Sequence, residues 1–195
     1  MFDRRVFGPI AAPAKADESF PLKPSSPYPA SKASEDLIAQ AAHTTFDQEI
    51  VIAKCSNNYG PRKHREKLIP ILVHFALRDQ PPPIYGLGKQ VCDWIHVDHA
   101  ARGLIKVFES GLSHSIYSLG ANCKRTNIKI ASTVLEHLDK PESLIEHFRD
   151  RPWRDLRHTN DTARAMATLG WQPLIPFQER FEKVVRELGA ALGPN

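Results

Sequence analysis

The apolar run Ile50-Val-Ile-Ala53 is the feature that most limits how this chain can fold. It shows no polar alternation, which is typical of a strand buried on both faces of a parallel sheet. Upstream, residues 28–46 keep a helical spacing of apolar side chains, with Ser25 and Ser26 as N-cap candidates and Pro27 where a first helical residue belongs. A helix followed by a doubly buried strand predicts an α/β fold.

The rest of the chain continues this alternation. Helices are predicted over residues 68–77, 98–110, 128–138, 161–169 and 177–188, and strands over residues 84–85, 91–97, 116–119 and 144–148. Thr126 or Asn127 is the expected cap of the fourth helix, and Gly170 is expected to close the fifth. Turns are expected at residues 57–61 and around Gly86 and Gly88. Because residues 9–29 contain six prolines, an irregular surface segment is predicted there.

Composition excludes several classes of protein. The chain has 195 residues, 42% of them hydrophobic and 25% charged, so it can bury an ordinary core. No apolar run approaches the roughly 20 residues that span a bilayer, and no signal-peptide core follows Met1, which predicts a soluble cytoplasmic protein that does not bind membranes. The formal charge of +4 suits a phosphate-bearing ligand. The basic residues are, however, spread along the chain with few aromatic residues between them, so nucleic acid is not a predicted partner.

The cysteines and histidines do not predict a metal site. Cys55, Cys92 and Cys123 are far apart and form no Cys-x-x-Cys pair, so neither a disulfide framework nor a zinc site is indicated. His96-x-Asp98-His99 has no evident further ligand. We therefore predict no metal.

Tyr28 and Lys32 form the pattern that carries chemistry. Four residues apart on a helix, they lie on one face with Cβ atoms about 5–6 Å apart. A free tyrosine, with a pKa of about 10, is a poor base at neutral pH, and a nearby ammonium favours the phenolate. Such a pair can move a proton on or off a sugar hydroxyl while a nicotinamide exchanges hydride. The same spacing also occurs by chance on amphipathic helices, so the surrounding motifs decide between the two interpretations.

Those motifs occur in a fixed order along most of the chain. They are Ser26-Pro-Tyr-Pro-Ala-Ser-Lys-Ala-Ser34, Ser56-Asn-Asn-Tyr-Gly-Pro61, Glu66-Lys-Leu-Ile-Pro70, Ile84-Tyr-Gly86, Gln90-Val-Cys-Asp-Trp94, Tyr117-Ser-Leu-Gly120, Arg125-Thr-Asn127, Asp150-Arg-Pro152 and Leu169-Gly-Trp171. Together they resemble the dTDP-glucose 4,6-dehydratases, a family of the extended short-chain dehydrogenase/reductase type, over about residues 18–188. The resemblance implies the C-terminal part of a Rossmann-type parallel sheet plus a smaller α/β substrate-binding domain. Residues 1–60 would be the residual NAD-binding domain, and residues 61–195 mainly the nucleotide-sugar-binding domain, with some segments returning to the Rossmann sheet.

The resemblance also implies roles for individual residues. Tyr28 and Lys32 would be the catalytic pair and, with Asn58, would contact the cofactor NAD. The residues that would bind the dTDP-hexose substrate are Asn57, Lys67, Leu68, Tyr85, Asn122 and Arg151. The family forms homodimers through a helical bundle, which implies a face formed by Leu37, Ile38 and Ala41 together with the helix from Lys67.

The chain departs from the family pattern at several positions. The glycine-rich loop that cradles the NAD pyrophosphate has no match in the 195 residues, so an N-terminal half is expected to be missing and the NAD site is expected to be half built. Val6-Phe-Gly8 places Asp3-Arg4-Arg5 where the family has Thr-Asp-Glu, and a guanidinium cannot act as the base. Cys92 replaces an arginine, and Arg154 replaces a histidine.

Three functional hypotheses follow. The first is a dTDP-glucose 4,6-dehydratase-like lyase that oxidises C4, eliminates water across C5 and C6 and returns hydride, but is incomplete or inactive as this chain alone. The second is a non-catalytic remnant that binds nucleotide-sugars or acts in assembly. The third is an NAD-dependent sugar epimerase activity, which needs the Tyr28/Lys32 pair but not the Asp and Glu.

Overall fold

The fold follows the predicted alternation of helices and strands. A computed structural model describes residues 2–11, 13–150 and 157–193. Its helices are α1 (Pro27–Phe46), α2 (Leu68–Ala76), α3 (Val97–Ser110), α4 (Asn127–His137), α5 (Ala163–Leu169) and α6 (Phe177–Leu192). Its strands are β1 (Phe2–Asp3), β2 (Val51–Cys55), β3 (Asn57–Tyr59), β4 (Pro83–Tyr85), β5 (Val91–His96), β6 (Ser115–Leu119), β7 (Lys124–Thr126), β8 (Glu146–Phe148) and β9 (Arg157–His158). The α/β prediction is confirmed.

Three sheets organise these strands. The first has the order β1-β2-β6 and is parallel, with Val51 opposite Ser115 and Cys55 opposite Leu119. The second has the order β3-β5-β7, and β9 pairs with β5. The third is the parallel pair of β4 and β8. As its unbroken apolar run predicts, β2 is a central strand with four of its five residues buried.

The chain forms two compact units. Unit 1 comprises residues 1–58, 92–124 and 153–174, and unit 2 comprises residues 59–91, 125–152 and 175–195. In unit 1, α3 and α5 pack on the first sheet around Tyr117, Leu119 and Ile95. In unit 2, helices α2, α4 and α6 pack against one another around Leu72, Ile130 and Phe181.

Most helix boundaries agree with the prediction, and two capping residues do as well. The Thr126 hydroxyl accepts a hydrogen bond from the Lys129 N–H at the start of α4. Gly170 adopts the left-handed conformation, with φ of 59°, directly after α5. Gly86 and Gly88 also have positive φ, at 56° and 63°, as the predicted turn requires.

Two local predictions were wrong. Residues 57–61 were expected to be a turn, but Asn57–Tyr59 is a strand, because the Ser56 N–H donates to the Leu119 carbonyl and the chain then enters the second sheet. The segment 9–29 is irregular as expected, but it is not confined to the surface. Ile10 and Ala16 are buried with Val6 and Phe7 in a small apolar cluster.

Candidate active site

Tyr28 and Lys32 lie side by side near the start of α1, as their spacing predicts. The Lys32 ammonium nitrogen lies 5.8 Å from the centroid of the Tyr28 ring. The Tyr28 side chain is 50% exposed, so a ligand can reach its hydroxyl. The α1 helix contacts β1 in the same unit, which places the pair beside the first sheet.

Lys32 has a second partner that sequence reasoning missed. Its Nζ lies 2.6 Å from Glu35 Oε1, one turn further along α1. An i, i+3 spacing of opposite charges was the signal that could have found this contact. Since both side chains are partly exposed, the pair is screened by solvent, and it leaves the ammonium close to the Tyr28 ring.

Asn57 and Asn58 begin β3, immediately after the carboxyl end of β2. Both are half-buried, and the Asn58 Oδ1 atom is fully buried without a hydrogen-bond partner among the described residues. A buried amide oxygen without a partner is costly, and because this one is shielded from solvent it does not by itself mark a ligand contact. The carboxyl ends of parallel strands are where such sheets bind ligands.

The segment aligned with the family's acid–base triplet follows the neighbouring strand. Strand β1 pairs with β2 in parallel, with Asp3 opposite Cys55, and residues Arg4–Phe7 then form a 3-10 turn. The backbone of Asp3-Arg4-Arg5 therefore leaves the sheet at the same end as Asn57 and Asn58. The side chains of these three residues lie outside the described part of the structure.

The other predicted substrate residues are divided between the two units. Asn122 belongs to unit 1, is exposed, and adopts a left-handed backbone with φ of 51° between β6 and β7. Lys67, Leu68 and Tyr85 belong to unit 2. Lys67 stands at the N-cap position of α2, with its Nζ 2.9 Å from Glu66 Oε1; Leu68 is the first residue of α2, and Tyr85 ends β4.

Arg151 and Arg154 lie outside the described residues. The described segment before them is held by a polar network within unit 2. Gln90, which is buried, donates to Asp150 Oδ2 at 3.4 Å and accepts from Asn127 Nδ2 at 3.5 Å. Gly86 approaches the same carboxylate so closely that a Cβ atom there would lie 2.6 Å from Asp150 Oδ2.

A further polar cluster in unit 1 was not predicted. Asp93 is buried, and its carboxylate accepts from the Ser56 hydroxyl at 2.7 Å and from the Cys123 N–H at 2.6 Å. These bonds join the end of β2 to β5 and to the loop before β7. Ser56 directly precedes Asn57 and Asn58, so the cluster fixes the backbone from which those side chains project.

A cavity of about 40 Å³ in unit 1 is too small to be the nucleotide site. It is lined by α1, β2 and β6, with the rings of His43 and His114 stacked 4.1 Å apart beside it. A space of this size holds only a few water molecules.

The family of this chain is shown by comparison with known proteins. A profile of the family described as GDP-mannose 4,6 dehydratase matches residues 4–184. The chain belongs to this family. Among curated relatives, it is 36% identical to the dTDP-glucose 4,6-dehydratase of Haemophilus influenzae over 188 residues, covering 91% of this chain and 55% of that protein. It is 39% identical to the dTDP-glucose 4,6-dehydratase of Neisseria gonorrhoeae over 180 residues, covering 87% of this chain and 52% of that protein.

Solved structures of family members confirm the fold. The dTDP-glucose 4,6-dehydratase of Streptomyces venezuelae, solved with NAD bound, matches with a TM-score of 0.92 and 37% identity, covering 95% of this chain and 57% of that one. The Bacillus anthracis enzyme, in complex with NAD, matches with a TM-score of 0.91 and 32% identity, covering 95% of this chain and 59% of that one. The predicted resemblance and the Rossmann-type architecture are confirmed. The chain spans about half the length of the curated relatives it matches.

The described residues fit one end of the family's cofactor. Tyr28 and Lys32 would meet the nicotinamide end of NAD, which supplies the hydride acceptor when bound, whereas the Asn58 Oδ1 atom is shielded from solvent and does not face a ligand. The pyrophosphate end has no glycine-rich loop in these 195 residues.

Among the described residues, moreover, no group of three or more His, Cys, Asp or Glu side chains is arranged to hold a metal ion. Within the same residues, none of the helices is long and apolar enough to cross a bilayer.

Proposed function

We propose that this chain is the proton-transfer and nucleotide-sugar-binding part of a dTDP-glucose 4,6-dehydratase-like protein. The observation that carries the proposal is the accessible Tyr28 ring with the Lys32 ammonium 5.8 Å from its centroid, on a helix packed beside a parallel sheet. The family reaction oxidises the sugar at C4 with NAD, removes water across C5 and C6, and returns the hydride. Tyr28 would take the proton of the C4 hydroxyl, and Lys32 would stabilise the phenolate.

The substrate would be a dTDP-hexose. In unit 2, Lys67 at the start of α2 would contact a phosphate oxygen, with Leu68 and Tyr85 beside the nucleotide and Arg151 on the diphosphate. In unit 1, Asn57 would contact the ligand where β2 ends, and Asn122 would take a nucleotide- or diphosphate-side position. A half-exposed lysine whose partner is an exposed glutamate can exchange that partner for a phosphate at little cost.

We propose that these 195 residues by themselves do not complete the dehydration. Elimination of water needs an acid and a base at the positions that Arg4 and Arg5 occupy, and a guanidinium stays protonated throughout the accessible pH range. Tight binding of NAD needs a pyrophosphate-binding loop, and these 195 residues contain no glycine-rich loop of that kind. Oxidation at C4 needs only the Tyr28/Lys32 pair and bound NAD.

A second candidate is epimerase-like chemistry, which is favoured because the Tyr28/Lys32 pair is intact while Arg4 and Arg5 replace the two acids in the sequence. Such a reaction oxidises and re-reduces one sugar carbon and has no elimination step. A non-catalytic role in binding or assembly is the third candidate, and the binding measurements below separate it from the other two.

Incubation with NAD and dTDP-glucose tests the leading proposal. The purified chain should give no alkali-induced absorbance of the 4-keto-6-deoxy product. Calorimetric titration with dTDP should show binding that Lys67→Ala weakens about tenfold, the value of one charge-assisted contact. Lys183→Ala, on the exposed face of α6, is the matched control. A clear product signal would refute the inactivity, and absence of dTDP binding would refute the nucleotide-sugar site.

We also propose a homodimer and a cytoplasmic location. Helix α1 leaves Leu37 and Ile38 57% and 68% exposed, and exposed neighbouring apolar side chains are typical of an interface. The apolar residues of α2 are mostly buried within unit 2, so α1 is the stronger support. Ile38→Glu should produce monomers in sedimentation velocity, whereas Phe108→Glu on α3, also exposed, should not. A wild-type chain that sediments as a monomer would contradict the dimer.

A further inference from the structure

The helix that carries Tyr28 and Lys32 has an unusual buried face. Although α1 is 20 residues long, its buried residues within the described chain are Pro29, Ala33 and Asp36. Two of these side chains are small and the third is a carboxylate. Helices are held in register chiefly by large side chains that interdigitate with their neighbours. Apolar packing by Pro29 and Ala33 therefore defines the axial position of the first half of α1 poorly; nearer the end of the helix, the His43 ring stacks on His114.

The buried carboxylate supplies an ion-pair contact instead. Asp36 Oδ2 lies 2.7 Å from the Lys54 Nζ atom on β2, and the two side chains are 0% and 2% exposed. The same ammonium lies 4.4 Å from the centroid of the Phe7 ring, in the 3-10 turn that follows β1. One buried cation thus contacts α1 and the segment after β1 while it projects from β2.

These three elements carry the candidate site of unit 1. Helix α1 bears Tyr28 and Lys32, β2 leads through Ser56 to Asn57 and Asn58, and the turn containing Phe7 begins with Arg4. Asp36 lies eight residues from Tyr28, about 12 Å along the helix. Because proton transfer requires heavy atoms within about 2.6–3.2 Å, even a slide of α1 by part of one turn would separate Tyr28 from its substrate.

The pair is not explained by stability. Burial raises the pKa of Asp36 above its ordinary value, and the nearby Lys54 ammonium only partly opposes this. Neither carboxylate oxygen of Asp36 has a hydrogen-bond partner of good geometry within the described residues, so the contact with Lys54 is an ion pair alone. Buried ion pairs of this kind are often neutral or costly relative to apolar residues of similar volume.

We infer that Asp36 and Lys54 are positioning residues that fix the axial register of α1 on β2, and so hold Tyr28 at the end of the sheet where Asn57 and Asn58 lie. The inference rests on the proposed role of Tyr28 and Lys32. Neither Asp36 nor Lys54 touches substrate, since both are buried; they act through the helix.

Removal of both charges together tests the inference without leaving one of them unpaired. The variant is Asp36→Leu/Lys54→Met, and the charge-reversed variant Asp36→Lys/Lys54→Asp is the rescue. Lys106→Met, which removes an exposed ion pair with Glu109 on α3 in the same unit, is the matched control. Asp36→Glu, which lengthens the contact by one methylene and keeps the charge, provides a test in case the double variant does not fold.

Two readouts report on α1 without any ligand. The chain has four tyrosines, so uniform 3-fluorotyrosine labelling gives four ¹⁹F resonances, and the variants Tyr28→Phe and Tyr117→Phe assign the two that are compared. Amide hydrogen exchange compares α1 with β6 in the same unit. We expect the Tyr28 resonance to shift or split in the double variant and in Asp36→Glu, while the resonance of the buried Tyr117 stays in place. Exchange in the double variant should rise about tenfold in α1 and less than about twofold in β6.

The charge-reversed variant should restore a single Tyr28 resonance, and Lys106→Met should leave every signal as in the wild type. An unchanged Tyr28 resonance in the double variant or in Asp36→Glu would overturn the inference. So would an equal rise of exchange in α1 and β6, because the pair would then be a general stabilising contact. Since the readouts use no ligand, failure of the proposed function appears separately, in the dTDP titration and the product assay.

Discussion

Gly120 leaves no room for a side chain, so Gly120→Ala is a direct test of the buried polar cluster around Asp93. Gly120 directly follows β6. A Cβ atom there would overlap Asp93 Oδ2 and would lie 2.6 Å from the Ser56 Oγ atom. Asp93 is 1% exposed, and Ser56 is 3% exposed. The added methyl group must therefore displace a buried carboxylate or the hydroxyl that donates to it.

The magnitude follows from the bonds at risk. The Asp93 carboxylate accepts from the Ser56 hydroxyl at 2.7 Å and from the Cys123 N–H at 2.6 Å. A hydrogen bond to a charged group contributes about 1.5–3 kcal/mol, and a buried group left without its partner costs a similar amount. We expect Gly120→Ala to lower the free energy of unfolding of unit 1 by about 2–4 kcal/mol.

Urea denaturation followed by tryptophan fluorescence measures this change. Trp94 and Trp171 are buried in unit 1, so their emission reports on the unit that contains Gly120. Gly189→Ala on α6 in unit 2 is the control, because the nearest atom to its new Cβ is 3.7 Å away and the tryptophan transition of unit 1 should stay as in the wild type. If Gly120→Ala unfolds within about 0.5 kcal/mol of the wild type, the Asp93 cluster does not carry the stability assigned to it.

Two further predictions concern groups whose pKa is raised by burial. Because the folded pKa of Asp36 lies above 3.8, its contribution to stability is fully present below that pH and is lost as pH rises through the folded value. The difference in unfolding free energy between wild type and Asp36→Asn should therefore fall with rising pH in urea titrations; a rising difference would contradict the sign. Burial also raises the pKa of Cys55 to about 11, so at pH 8 its thiol should react with Ellman's reagent far more slowly than Cys92 and Cys123. Cys55→Ala should remove the slow phase, and three equal rates would refute the assignment.

Sequence patterns predicted the elements whose signal is local. The apolar run before Cys55 predicted the central strand, and Thr126 and Gly170 predicted helix ends. Each of these features depends on residues within a few positions of one another. Strands β1, β7 and β9 were missed because two or three residues are too few to show a period. These short strands form because they pair with segments distant in sequence, as Asp3 of β1 pairs with Cys55 of β2.

In the candidate site, too, local contacts could be predicted from sequence and contacts between distant residues could not. The Tyr28/Lys32 contact follows from an i, i+4 spacing and could be predicted from sequence alone. The Asp36–Lys54 pair joins residues 18 positions apart on different elements. No local spacing relates the two residues, and the residues around them were interpreted as apolar packing. Asp36 falls three residues after Ala33 on the buried face, which is the signal that could have singled it out.

The pairing of β1 with β2 changes what the replacement of two acids means. From sequence, Asp3-Arg4-Arg5 was matched to the acid–base triplet only through Val6-Phe-Gly8. In the structure, Asp3 ends β1 and lies opposite Cys55 on β2, and the backbone of Arg4 and Arg5 follows it. Cys55 in turn precedes Asn57 by two residues. The register therefore brings the backbone of these residues to the same end of the sheet as Asn57 and Asn58. Under the proposed function, Arg4 and Arg5 would remove the elimination step at the sheet end while Tyr28 and Lys32, which belong to α1, keep the proton transfer needed for oxidation at C4. Because the two steps depend on different elements, loss of one does not require loss of the other.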